Sequence, residues 1–329
     1  MRSRFINIST ETNMTRNDDM IPNKLKQGDE IRIIAPSGSF SRVRTDIAES
    51  ALSLLREQGF NITFSKNCRE MDGFGSSSVR SRTEDLHEAF ADKNVKAVMA
   101  CIGGFNVNQI LPYIDYELIK ANPKILCGYS DISALLNAVY AKTGLVTYHA
   151  PHLAGLGFPD EREYTLRCFA DCLMNDSPFE ISPSETAGSY TVIREGECEG
   201  EIIGGNLCTL NLLQGTPFMP DIRNKVLFIE DDNIMGDYFV YEFDRNLQSL
   251  LQLDGADTIK GIVFGRFEES CKMTIDTVKA MTADKIPSGI PIIFGADFGH
   301  VFPMLSFPIG GKASLSAKGS DVNIRITEH

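Results

Sequence analysis

The sequence predicts an α/β protein whose N-terminal half is a doubly wound parallel sheet. Three observations carry that reading. Short apolar runs alternate with amphipathic helical patterns from residue 30 to residue 144, the rhythm of parallel strands joined by crossover helices. Three of the runs stop at small-residue turns, Ala35-Pro36-Ser37-Gly38, Gly103-Gly104 and Gly128-Tyr129-Ser130. Finally, 329 residues suffice for two domains of ordinary size. In such sheets ligands bind outside the carboxyl ends of the strands, which is where these turns fall.

Taken in order, residues 1–23 are polar and read as a flexible tail, with Met20 as an alternative natural start. The first domain is expected over 24–174. Its strands are Glu30–Ile34, Asn61–Ser65, Lys96–Ile102 and Ile125–Cys127. A helix with Ile47, Ala51, Leu54 and Leu55 on one face ends before Gly59, and another runs from about Arg82 to Asp92. Residues 175–199 dissolve into Asn, Ser, Pro, Glu and Gly and read as an interdomain connection. The second domain, 200–329, opens with a glycine-gated turn and short helix at Gly204–Gly215. It continues with strands at Val226–Ile229, Gly261–Phe264 and Pro291–Phe294, a helix from about Tyr241 to Leu253, and a terminal hairpin from Ala313 to Thr327.

With 43% hydrophobic and 23% charged residues, the chain can bury substantial cores. A net charge of -12 argues against binding nucleic-acid polymers or anionic membranes. No apolar run approaches the roughly 20 residues of a membrane helix, and the polar N-terminus lacks the apolar core of a secretory signal. Eight cysteines are scattered, and only Cys168 and Cys172 stand four apart, without a second pair at metal-ligand spacing. They read as reduced and structural, which implies a cytoplasmic location. No cofactor is expected.

The chemistry centres on Lys124–Gly144. The apolar run Ile125-Leu126-Cys127 leads through a turn into a helix with Ile132, Leu135, Leu136 and Val139 at helical spacing, and Gly144 is its stop. Ser130 therefore stands where a strand hands over to a helix, the geometry of a nucleophile elbow. The plainer alternative is a helix cap, and the G-x-S-x-G pattern is only half present. A nucleophilic serine needs a base, and the base an orienting group. Of five histidines, His329 is terminal, His87 lies in a charged helix, and His149 and His152 flank Pro151. His300 stands at a strand end in a Gly-rich loop. Glu230 ends the strand Val226–Ile229; the alternative is a solvated acidic turn or a weak hard-cation site with Asp231 and Asp232. The order Ser, acid, His is permissive and not diagnostic.

The chain resembles the LD-carboxypeptidase family of serine peptidases, and within it the microcin C self-immunity (MccF-like) branch. The resemblance rests on Ala35-Pro-Ser-Gly38, Ile102-Gly-Gly-Phe-Asn106, Leu111-Pro-Tyr-Ile-Asp115, Gly128-Tyr-Ser-Asp131, Gly204-Gly-Asn-Leu207, Phe228-Ile-Glu-Asp231 and Phe298-Gly-His300 with Pro308-Ile-Gly-Gly311. It implies a smaller, β-rich α/β C-terminal domain, an active site between the domains, and a homodimer. It also implies a metal-independent serine hydrolase with Ser130 as nucleophile, Glu230 as acid and His300 as base. The amides of Gly104 and Asp131 would form the oxyanion hole.

Two departures bear on substrate. Muropeptide-cleaving members resembling this chain carry an arginine just before the Gly-Gly turn; here the residue is Ile102. That form resembles the immunity branch, which cleaves the amide joining an amino acid to a nucleotide-like group. The branch stacks a tryptophan on the base, and this chain has none. Phe179 or Tyr190 is expected to stack instead, and Gly103, Asn106 and Asn206 to contact substrate. The expected substrate is therefore an aminoacyl- or peptidyl-nucleotide. The alternatives are a murein tetrapeptide, a catalytically silent ligand-binding protein, and a generic esterase.

Overall fold

The computed structural model describes residues 20–186 and 188–329, so the expected tail lies, up to residue 19, outside the described residues. Residues 20–23 are not tail. The Met20 amide donates to the Gly144 carbonyl at 2.8 Å and its carbonyl accepts from Val146 at 2.9 Å, while Pro22 and Lys24 are buried.

The first sheet contains β1 (Glu30–Ile34), β2 (Asn61–Phe64), β3 (Val95–Ala100), β4 (Ile125–Gly128) and β5 (Thr147–His149) in the order β2-β1-β3-β4-β5, all parallel. The helices α1 (Thr45–Glu57), α2 (Val79–Ala91), α3 (Tyr116–Ala121) and α4 (Ile132–Thr143) lie between them in the chain. Strands covered on both faces need apolar residues at every position, and the runs Ala97–Ala100 and Ile125–Cys127 supply them. Val98, Ala100 and Leu126 join one core, and Ala97, Met99, Ile125 and Cys127 join the other. The cysteines of this sheet are free thiols in apolar surroundings. Helix α2 begins three residues earlier than its periodicity suggests, because the Ser78 hydroxyl accepts the Ser81 amide and caps it.

After α5 (Leu153–Leu156) and α6 (Arg162–Leu173), the chain builds an eight-stranded mixed sheet. Its strands are β6 (Phe179–Ile181), β7 (Thr191–Arg194), β8 (Gly196–Asn206), β9 (Val226–Glu230), β10 (Gly261–Gly265) and β11 (Ile292–Ala296), with β13 (Lys312–Lys318) and β14 (Asp321–Glu328) after the short β12 (Phe307–Ile309). The order is β6-β14-β13-β8-β9-β10-β11-β7, with β8 to β11 parallel. Helices α7 (Leu207–Asn211), α8 (Phe239–Leu250) and α9 (Ile275–Ala283) intervene. The expected connection at 175–199 is thus not structureless. It supplies both edges of this sheet, and edge strands tolerate the polar composition that reads as loop.

Strand β12, although it follows β11 in the chain, is the sixth strand of the first sheet and pairs antiparallel with β5, Phe307 opposite His149 and Ile309 opposite Thr147. A second lock joins the halves. Asn137 of α4 donates to the Gly204 carbonyl at 2.7 Å, and the Ser133 hydroxyl accepts the Asn206 amide at 3.0 Å. The approach is so close that a Cβ on Gly205 would sit 2.4 Å from Ser133 Oγ, so only glycine fits. This contact sets the carboxyl end of β9 beside the turn that carries Ser130.

Candidate active site

Ser130 follows β4 and precedes α4 with φ of 64°. A serine pays a steric penalty in this left-handed region, and the turn holds it there by packing. Its carbonyl accepts the Ser133 amide at 2.9 Å. Asp131 behind it is 1% exposed, and its carboxylate takes the Ser37 hydroxyl at 2.5 Å and the Val107 amide at 2.9 Å. Burial pushes that carboxyl pKa up. The glycine pair packs against the same turn: a Cβ on Gly103 would lie 2.9 Å from both Cβ and Oγ of Ser130, and one on Gly104 would strike Ser37 Oγ. Neither the Gly104 nor the Asp131 amide is spent on a backbone hydrogen bond among the described residues.

His300, beyond the carboxyl end of β11, closes the arrangement. Its Nε2 lies 3.0 Å from Ser130 Oγ and its Nδ1 2.8 Å from Glu230 Oε2. Glu230 is the last residue of β9 and is fully buried. Burial by itself would lower the imidazole pKa, but Glu230, Asp232 and Asp231 outweigh it and the ring is pushed up to about 9. Asp232 stands 3.5 Å from Nε2 with a partly exposed side chain, a neighbour that the sequence marks only as one of three consecutive acids. Asp231 behaves differently. It accepts from Asn206 Nδ2 at 2.9 Å and from the Cys208 amide at 3.1 Å, and burial plus the two adjacent acids raise its pKa to about 8. Among the described residues no three His, Cys, Asp or Glu side chains are grouped to hold a metal ion. The other histidines have separate environments. His152 caps α5 and stacks on Tyr129 at 4.2 Å, and His149 stacks on Phe307 at 4.5 Å; burial lowers their pKa values to about 3 and about 4.

Two domain descriptions match this chain in succession: the LD-carboxypeptidase N-terminal domain over residues 31–150 and the LD-carboxypeptidase C-terminal domain over residues 199–315. The chain belongs to the LD-carboxypeptidase family. Its members are serine peptidases, and this protein is accordingly a hydrolase. YocD of Bacillus subtilis, named provisionally as a carboxypeptidase, is 45% identical, over 94% of this chain and 100% of its own. The crystal structure of an MccF-like protein from Bacillus anthracis superposes with a TM-score of 0.91 at 46% identity, covering 94% of this chain and 100% of that one. MccF, the microcin C7 self-immunity protein of Escherichia coli, in complex with glutamyl sulfamoyl guanosine, superposes at 0.83 and 29% identity, covering 94% and 98%.

The family's motifs here split between site and scaffold. A cavity of about 140 Å³ opens onto Ser130, and Gly104, Phe105, Asn206, Asp232 and Ile234 are among its walls. Asn206 lines it, but its side chain is committed, giving Nδ2 to Asp231 and accepting the Thr209 amide to cap α7. Asn106 is likewise engaged inward, its Oδ1 accepting from Arg82 at 3.1 Å and its Nδ2 reaching Ser76 at 2.8 Å. Two expected contacts must be corrected. Tyr190 is 4% exposed and donates its hydroxyl to Asp297 at 2.9 Å, so its ring has no free face. Phe179 lies in β6 edge-on to His329 at 5.1 Å and lines a different cavity, with Arg167 and Ser306. Neither can stack on a ligand at Ser130. Exposed aromatic surface does border the site at Phe105, which is 66% exposed; its place directly after the Gly-Gly turn was the available signal. Arg42 was also missed. A Cβ on Gly38 would sit 3.1 Å from Arg42 Nη1 and 3.2 Å from Ile102 Cγ2, so this exposed guanidinium shares a neighbour with Ile102, just before the Gly-Gly turn.

Proposed function

We propose that this protein is a metal-independent serine amidohydrolase that cleaves the acyl bond of aminoacyl- or peptidyl-nucleotides, in the manner of the microcin self-immunity proteins. The hydrogen-bonded line Ser130–His300–Glu230 carries the reading of mechanism. Ser130 Oγ attacks the scissile carbonyl while His300 Nε2 takes its proton. The Gly104 and Asp131 amides donate to the oxyanion that forms. Collapse breaks the bond to the leaving group, which receives the proton from His300. Water, activated by the same ring, then releases the acid and frees Ser130. Glu230 holds the ring by Nδ1 and stabilises the imidazolium. The substrate reading is supported by apolar Ile102 beside the glycine turn, by exposed Phe105 as a stacking face, and by the likeness to MccF bound to an aminoacyl sulfamoyl nucleoside.

The murein tetrapeptide alternative is kept by Arg42, because an exposed cation beside Ile102 offers a partner to a peptide carboxylate. Incubation with an aminoacyl sulfamoyl adenosine and with a murein tetrapeptide, products read by mass, separates the two. We expect the nucleotide to be cleaved and the tetrapeptide to be spared. The reverse result would move the protein among the cell-wall peptidases and make Arg42 the residue to replace. Ser130→Ala, His300→Ala and Glu230→Gln should each lower kcat/KM by on the order of 10³-fold or more, with non-additive doubles. Near-full activity of Ser130→Ala would refute the mechanism.

A further inference from the structure

The aminoacyl-nucleotide reading leaves Asp232 without a task. Its carboxylate is 3.5 Å from His300 Nε2, the nitrogen that also faces Ser130 Oγ at 3.0 Å. Among the described residues the imidazole is its only ion-pair partner. The cavity it lines with Ser130 has three further carboxylates, Asp131, Asp231 and Glu242, and no lysine or arginine. Those three are engaged elsewhere: Asp131 with Ser37, Asp231 with Asn206, and Glu242 with Arg245. Asp232 accepts the Ile234 amide, and it is the one of these four that stands against the imidazole of the base.

We propose that Asp232 is the receptor for the free α-ammonium group of the substrate's acyl residue, so that among the aminoacyl- and peptidyl-nucleotides of the reading above the enzyme turns over most efficiently those whose acyl residue keeps a free amine. The inference rests on the aminoacyl-nucleotide reading and sharpens it. An α-amine lies about 2.5 Å from the carbonyl carbon it accompanies, so a carbonyl placed for attack by Ser130 carries its amine into the neighbourhood of His300 and Asp232. There the ammonium meets an acceptor, while an acylated nitrogen leaves the carboxylate unpaired.

Pairing also releases the base. In the free enzyme, Glu230 at Nδ1 and Asp232 at Nε2 both favour the imidazolium, with Asp231 adding to them. An imidazolium cannot accept the serine proton. The other titratable neighbours are Tyr129, His149 and His152 around the ring and Glu268 beside Asp232. His149 and His152 are held neutral by burial, so none of the four supplies a compensating positive charge near pH 7. A substrate ammonium does. It draws Asp232 off Nε2 and lowers the ring's affinity for its proton, which leaves Nε2 free to accept the proton of Ser130.

The test compares alanyl sulfamoyl adenosine with its N-acetyl derivative on the wild-type enzyme and on Asp232→Asn. The wild type should prefer the free amine by on the order of 100-fold in kcat/KM. Asp232→Asn should bring the two substrates within a few-fold of each other. The variant should also move the acid limb of kcat/KM, expected near pH 9 for the free wild-type enzyme, to lower pH, a shift that a purely structural role would not produce. Asp232→Glu should keep the preference. Equal turnover of the two compounds by the wild type overturns the inference alone, and that comparison stands even where a variant fails to fold. Turnover of neither compound overturns the aminoacyl-nucleotide reading, and the inference with it.

Discussion

At the scale of single residues, the site holds its nucleophile in an unfavourable backbone conformation. Ser130 sits at φ of 64°, a conformation that costs a residue with a Cβ on the order of 1 kcal/mol. Ser130→Gly and Ser130→Ala both remove the hydroxyl, and only the first relieves the backbone. Ser130→Gly should therefore be the more stable by about 1 kcal/mol in denaturant melts, with both inactive. Equal midpoints would show the turn to be unstrained. The three residues of the line were legible as types at strand ends. Ser130, Glu230 and His300 each follow an apolar run, and five histidines are few enough to sort. Asp232 was not legible as anything separate from its acidic neighbours. What sets it apart is a distance to a ring 68 positions away in the chain, and no local pattern encodes that.

At the scale of elements, strands with two buried faces declared themselves and strands with one did not. The runs Ile125–Cys127 and Val226–Ile229 are apolar at every position, and the sheet buries both faces of each. The strands β6 and β7 have partly exposed, polar sequences and read as connection because edges need no continuous apolar run. Tyr190 was misjudged for the related reason that periodicity does not say whether an aromatic ring faces outward. The Gly-Gly turn is an element whose sequence logic is steric. Gly103 is not at positive φ, so alanine there is permitted by the backbone, yet its Cβ would press on Ser130 Oγ at 2.9 Å. Gly103→Ala should fold with little loss in melting temperature and lose at least about 100-fold in kcat/KM, since misplacement of a reacting atom by an ångström costs that much. Retained activity would mean that the turn yields.

At the scale of the whole molecule, the halves are joined by buried polar groups as well as by strands. Asp297, after β11, is fully buried and accepts hydrogen bonds from the hydroxyls of Tyr164 and Tyr190 and from the amide and hydroxyl of Ser184, with Arg266 ion-paired at 3.1 Å. Asp297→Ala takes the acceptor from the Tyr190 hydroxyl and the Ser184 amide and the countercharge from Arg266, while Tyr164 and Arg266 keep the Ser182 and Pro303 carbonyls. It should cost about 3 kcal/mol in unfolding free energy, and a change below about 1 kcal/mol would show that the network re-pairs easily. The doubly wound first sheet was visible in the strand and helix rhythm. Its outermost strand was not, because β12 is three residues long and comes from the far end of the chain. That origin has a consequence for synthesis. While the chain emerges from the ribosome, the first sheet can assemble through β5 but lacks its cover until residues 307–309 arrive, so the flank of β5 stays open to strangers for about half of translation. His300 arrives only just before, so a nascent chain is without its base until about the time its first sheet can close. Products stopped short of residue 300 should then be inert and prone to stick, a burden for chaperones and proteases rather than a source of stray hydrolysis.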